Sequence, residues 1–247
     1  MNQRNLKLIL CYDGSGYHGW QIQENADTIQ GELVKACQRI LGETVTIYGC
    51  SRTDTGVHAN EYCCNFKTGV QREGRKIVYG LNAVLPEDIA VKSCEEVESD
   101  FNARFDTKRK QYIYKIWNAP YKNPFLQNKA LHYPCKIDCE LLNAQCKDYI
   151  GTHDFSAFCS AGSVVKDKVR TIFDCSVERD GELVVFKVTG DGFLYNMVRI
   201  MVGTLLDINS GKIQSGSIGD IILSGDRINA GITAKPHGLY LNKVYYD

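Results

Sequence analysis

Apolar and polar residues alternate along residues 6–12, and that period of two predicts a first β-strand. Asp27 and Gln30 have the spacing of a capping box, and Ile29, Leu33, Cys37 and Ile40 share one face of the helix it would open. Residues 44–48, with Val45 and Ile47 alternating, read as a strand. Strand character resumes at Tyr62, Cys63, Cys64 and Phe66. Residues 72–84 read as a helix carrying Ile77 and Leu81, stopped by Pro86, and 89–97 as a further strand.

The second half opens with residues 108–117, a strand with Tyr112, Tyr114 and Ile116 on one face and Ile113 on the other. Residues 120–134 are loop-rich. A helix is predicted over 138–150, then strands over 170–178 and 182–189. An apolar helix over 193–203 carries a single charge, Arg199, and a short helix over 218–223 and a strand over 238–245 follow. An apolar stretch disfavours a lone cation, so Arg199 calls for a carboxylate partner. The layout is α+β with antiparallel sheets, in an N-terminal half (1–105) and a C-terminal half (106–247).

Between the strands around 44–48 and 62–66 lies the polar turn 49–59, with glycines at Gly49 and Gly56. It brings Arg52, Asp54 and His58 close together. A guanidinium beside a carboxylate favours the ionised acid, and an oriented carboxylate can serve as base, metal ligand or nucleophile. A charged, solvated hairpin turn has the same local sequence. A second glycine stretch, Gly14, Gly16 and Gly19, spells G-x-G-x-x-G after the first strand. The dinucleotide fingerprint needs a helix to begin there, and residues 20–25 do not open one, so these glycines read as a flexible loop.

The composition of the 247 residues, 44% hydrophobic and 23% charged, is that of a globular protein with a substantial core. No apolar run is long enough for a membrane span and the first residues lack a signal-peptide core, so the expected location is the cytoplasm. The 11 cysteines are odd in number and contain no Cys-x-x-Cys pair; they read as reduced, small core residues without a metal. Basic and acidic residues balance at 29 each, yet Arg104, Lys108, Arg109, Lys110 and Lys115 cluster, as do Lys166, Lys168 and Arg170. Tyrosines beside cations on a strand suit unstacked bases and phosphates, although an aromatic core face is equally ordinary.

Taken in order, Tyr12-Asp13-Gly14 through Gly19-Trp20-Gln21, Thr28-Ile29-Gln30, residues 49–59 and Leu85-Pro86-Glu87-Asp88-Ile89 form a pattern. It continues through Tyr112 with Tyr114, Asp154-Phe155-Ser156-Ala157-Phe158, residues 193–203 and Gly238-Leu239-Tyr240-Leu241. Nearly end to end, the chain resembles the bacterial tRNA pseudouridine synthase A family. The resemblance implies an isomerase that breaks the glycosidic bond of a uridine in tRNA, turns the base and rejoins it through C5, at tRNA positions 38, 39 and 40 of the anticodon stem-loop. It implies that Asp54 is the essential catalytic group, attacking sugar or base or initiating proton removal. Arg199 would pair with that carboxylate, Arg52 would help extrude the uridine, and Tyr112 would stack on the target base. It further implies two α+β halves whose sheets join around a cleft, a homodimer whose subunits share the tRNA, and no cofactor or metal. One departure is Ala234-Lys235-Pro236-His237, where members of that family often carry Ala-Pro. The rival readings are a non-catalytic RNA-binding protein on the same fold, and a thiol hydrolase using Cys50 or Cys63 with His58.

Overall fold

The computed structural model describes residues 3–247. The chain forms two compact units, Met1–Lys108 with Tyr240–Asp247, and Arg109–Leu239. Both are mixed α+β with largely antiparallel sheets.

In the first unit, β1 (Arg4–Tyr12) is followed by α1 (Ile29–Leu41), β2 (Tyr48–Gly49), β3 (His58–Thr68), α2 (Gly74–Asn82) and β4 (Ile89–Val97). The central strand β1 pairs antiparallel with β3 on one side (Leu8 opposite Cys64) and β4 on the other (Leu8 opposite Cys94). Its alternation sends Leu6, Leu8 and Leu10 into the core, all fully buried, as are Ile29, Leu33 and Cys37 of α1 and Ile77 and Leu81 of α2.

Two local expectations change. The cap of α1 is Thr28, whose side chain accepts from the Gly31 N–H at 3.3 Å, and not Asp27 with Gln30. Gln30 is engaged elsewhere: its Oε1 accepts from the Ile22 N–H at 3.1 Å and its Nε2 donates to Ile47 O at 3.0 Å. That second bond also explains why residues 44–47 are no strand. Val45 and Ile47 are buried as expected, but the Ile47 carbonyl is satisfied by a side chain, and ladder pairing is confined to Tyr48 with Asn65 and Gly49 with Cys64.

In the second unit, β5 (Arg109–Trp117) leads to β6 (Leu131–His132), α3 (Cys139–Cys146), β7 (Gly151–Asp154), β8 (Val169–Asp180), β9 (Leu183–Gly190), α4 (Met197–Asn209) and α5 (Ile218–Ser224). The antiparallel order is β5-β9-β8-β7, with β6 pairing parallel to β5. The helix expected over 138–150 tightens into a 3-10 turn at Lys147–Tyr149. The apolar helix begins at Met197, four residues later than predicted, because Asn196 takes a left-handed conformation (φ 60°) that no helix can include. It then runs on to Asn209. Apolar all round, it is buried over most of its length, as such a helix must be.

The last strand, β10 (Leu239–Tyr245), runs parallel to β3 through Tyr240 opposite His58 and Leu241 opposite Ala59. It therefore belongs chiefly to the first unit, an arrangement that a single cut along the sequence cannot express. None of the helices among the described residues is long and apolar enough to cross a membrane.

Candidate active site

Residues 50–57 form the loop between β2 and β3. Cys50 N–H donates to Cys63 O at 2.9 Å, and Val57 N–H donates to Asp54 O at 3.1 Å to close the turn. Gly56 takes the left-handed backbone the turn needs (φ 75°). Gly49 is required for another reason: a Cβ there would run into the Tyr62 hydroxyl and the Trp20 ring.

Beneath the loop lies a buried aromatic group. Trp20 and Tyr62 stack with ring centroids 4.0 Å apart, and Tyr12 lies 5.6 Å from Tyr62. Both hydroxyls reach up to the loop. Tyr62 donates to Ser51 O, and Tyr12 shares a 2.8 Å hydrogen bond with Thr53 Oγ1. Burial pushes the Tyr62 hydroxyl well above its ordinary range, so it stays protonated as a donor.

The segment after β1 clamps the loop from the side. Trp20 N–H donates to Thr53 O at 3.1 Å, and Gly56 N–H donates to Tyr17 O at 3.3 Å. A Cβ at Gly14 would collide with Val57 O, and one at Gly19 with Thr53 O. Of the three glycines expected to form a flexible loop, Gly14 and Gly19 are instead points of close backbone contact, while Gly16 faces open space. Sequence reasoning missed this, although the spacing that mimicked a phosphate cradle was itself the signal that something passes close by.

The result is an immobilised loop with one reactive group partly open to solvent. Thr53 and Val57 are buried, Asp54 is half-buried and Arg52 is exposed. His58, at the loop's end, is almost wholly buried. Its Nδ1 accepts from the Gly14 N–H at 3.1 Å, and its ring stacks on Tyr240 at 4.5 Å. Asp13 Oδ1 lies 3.0 Å from the same nitrogen, so protonation of the ring would exchange the Gly14 bond for an ion pair. Cys50 and Cys63 are fully buried, and burial pushes the Cys63 thiol up to about 11, which leaves a thiolate nucleophile without support.

In the second unit Tyr112 and Tyr114 point the same way from β5. Tyr112 is buried and meets Phe193 edge-on, with centroids 5.1 Å apart. The Tyr114 hydroxyl donates to Lys235 O at 2.6 Å. Because a carbonyl receives this bond, the unusual Lys235 side chain is no obstacle to it. Burial raises the Tyr114 pKa, and the nearby Arg199 charge opposes that rise. Arg199, half-buried on the first turn of α4, donates from Nε to Ala234 O at 2.7 Å and from Nη1 to Asn196 Oδ1 at 2.6 Å. Of the four residues singled out in the sequence, Arg52 and Asp54 thus share one loop of the first unit, while Tyr112 and Arg199 are carried by the second. Tyr12, Trp20, Tyr62 and Asn196 were not singled out. They hold other groups through hydrogen bonds and ring contacts. Although Tyr12, Trp20 and Asn196 fall within the family-like stretches, nothing in their side-chain chemistry marked that task.

A family model described as "tRNA pseudouridine synthase" matches residues 9–106 and 145–247, spanning parts of both units. The chain belongs to this tRNA pseudouridine synthase family. Its relatives include proteins named tRNA pseudouridine synthase A from Acetivibrio thermocellus, 48% identical, and Clostridium acetobutylicum, 46% identical. Another from a Thermoanaerobacter strain is 45% identical. Each alignment covers 98% of this chain and 100% of the relative.

Proposed function

We propose that this chain isomerises uridine to pseudouridine at positions 38, 39 and 40 of the tRNA anticodon stem-loop, with Asp54 as the catalytic carboxylate. The observation that carries the assignment of Asp54 is its half-buried position on a clamped loop. A carboxylate that follows the buried Thr53 and whose own carbonyl is held by the Val57 N–H is oriented before substrate arrives.

The reaction breaks the bond between N1 and the ribose C1′ and forms one between C5 and C1′. C5 loses a proton and N1 gains one, so no atom is taken up or released overall and no co-substrate is consumed. Asp54 attacks the sugar or the base, or initiates the removal of a proton. A uridine within a stacked stem-loop must first leave the stack. Arg52, exposed on the same loop, would assist that extrusion, and Tyr112 would offer its ring to the extruded base. Arg199 would pair with Asp54 and keep it ionised. Two copies of the chain would share one tRNA, so that basic strips from both compensate for a net charge of zero. The expected location is the cytoplasm, where tRNA is modified.

The test is pseudouridine formation in unmodified tRNA bearing uridines at positions 38–40, with wild type and Asp54→Ala compared. Product from the wild type alone supports the assignment. A folded wild type that binds tRNA but yields no product points to the non-catalytic reading, and product from both proteins moves the chemistry to another carboxylate.

A further inference from the structure

Asn196 departs from two local rules at once. Its φ of 60° lies in the left-handed region that non-glycine residues seldom take. It also stands at the N-cap of α4, where an asparagine side chain ordinarily accepts a hydrogen bond from an early helical N–H, and it makes no such bond. The side chain is engaged elsewhere. Its Oδ1 accepts from Arg199 Nη1 at 2.6 Å, and its Nδ2 donates to Ser160 Oγ at 2.9 Å. Ser160 is tied back in turn by its own N–H on Tyr195 O at 3.1 Å.

The far side of the arginine is fixed as well. Nε donates to Ala234 O at 2.7 Å, while the Ala234 N–H donates to Arg199 O at 3.1 Å. With Nε and Nη1 both anchored, the plane of the guanidinium is set. Local rules broken together, with the side chain turned to a charged neighbour, mark a position shaped by function.

We propose that Asn196 is the positioning residue of Arg199: its left-handed backbone and its bridge to Ser160 fix where the guanidinium reaches. The proposal rests on the reading that Arg199 pairs with the catalytic carboxylate. Few side chains could do the task. Glycine takes the backbone angle but has no acceptor. Aspartate takes the angle, keeps the acceptor for Arg199 and can accept from the Ser160 hydroxyl instead of donating to it.

The experiment measures single-turnover pseudouridine formation, tRNA affinity and thermal midpoint for wild type, Asn196→Gly, Asn196→Asp, Ser160→Ala and Arg199→Ala. Asn196→Gly is expected to slow the chemical step by about 10- to 100-fold through misplacement of the guanidinium. Its tRNA affinity should be unchanged and its midpoint unchanged or raised, since glycine adopts this φ freely. A merely structural role would instead lower midpoint and affinity together. Asn196→Asp, with its acceptor in place, should keep most of the rate. A wild-type rate in Asn196→Gly beside a slow Arg199→Ala overturns the proposal alone. Wild-type rates in both overturn the reading of Arg199 beneath it. If the glycine variant does not fold, Ser160→Ala decides: a slowed chemical step with unchanged tRNA affinity supports the proposal, and a wild-type rate overturns it.

Discussion

Asp54 lies on a loop without secondary structure, gripped from below by Tyr12, Trp20 and Tyr62 and from the side by Gly14 and Gly19. Arg199 lies on the first turn of a buried helix and is held at its own head group, by Asn196 and by the carbonyl of Ala234. In the first region the backbone is fixed and the short side chain follows. In the second the backbone is a helix, and a long, flexible side chain must be fastened near its tip. The difference follows from reach: one χ1 and one carboxylate torsion remain once the Asp54 backbone is set, whereas an arginine keeps several rotatable bonds after its helix has formed.

That contrast can be broken from the largest effect downward. Trp20→Ala removes the stacked ring under the loop and should cost about 3–5 kcal/mol of stability. Denaturant unfolding measures the loss, and hydrogen exchange should show amides of residues 50–57 losing more protection than those of α4. Alkali comes next. Burial raises the Cys37 thiol to about 12 and the Cys63 thiol to about 11, against ordinary values near 9. Above about pH 9 the unfolded chain releases these protons while the folded chain retains them, so stability should fall with rising pH, by about 1.4 kcal/mol per unit for each thiol. Denaturation curves at pH 8 and 10.5 would show it, and Cys63→Ala should make the slope shallower.

Gly203→Ala probes the second region. A Cβ there would collide with Ile232 O, in the segment whose Ala234 carbonyl holds Arg199. A loss of about 1–3 kcal/mol is expected, with catalysis impaired even where the protein remains folded; an active variant of unchanged midpoint would show that this segment yields easily. Smallest should be Tyr12→Phe. It leaves the ring but removes the bond to Thr53, for about 1 kcal/mol. Its single-turnover rate should fall more than its stability does; equal, negligible changes would show that Tyr62 and the glycine contacts suffice to fix the loop.

Much of this was legible beforehand, for identifiable reasons. The alternation of β1 came through because one face is buried with a regular period from Leu6 to Tyr12. The strand β4 came through although its alternation breaks after Lys92, where its pairing with β1 shifts register. Arg52, Asp54, Tyr112 and Arg199 stood out as groups able to carry chemistry, and the structure distributes them over a loop, a strand and a helix; the roles given to them belong to the proposal. The start of α4 did not come through, because apolar Phe193 and Leu194 continue the helical pattern while the backbone at Asn196 breaks it. Nor did the short β2, where a distant glutamine side chain takes the carbonyl that a ladder would have used. Periodicity records which residues are buried. It does not record which partner satisfies a backbone group.

The parallel pairing of β10 with β3 has a consequence in time. A ribosome delivers His58 early and Tyr240 near the end, yet the ring of one rests on the ring of the other. Contacts so distant along the chain form late and slowly. While the intervening residues are still being made, the strand that follows loop 50–57 lacks its neighbour, and the His58 ring lacks the Tyr240 ring against it. Synthesis of the last strand is thereby the event that completes the sheet of the first unit. Protease sensitivity of ribosome-bound chains, compared before and after that strand emerges, would reveal the moment.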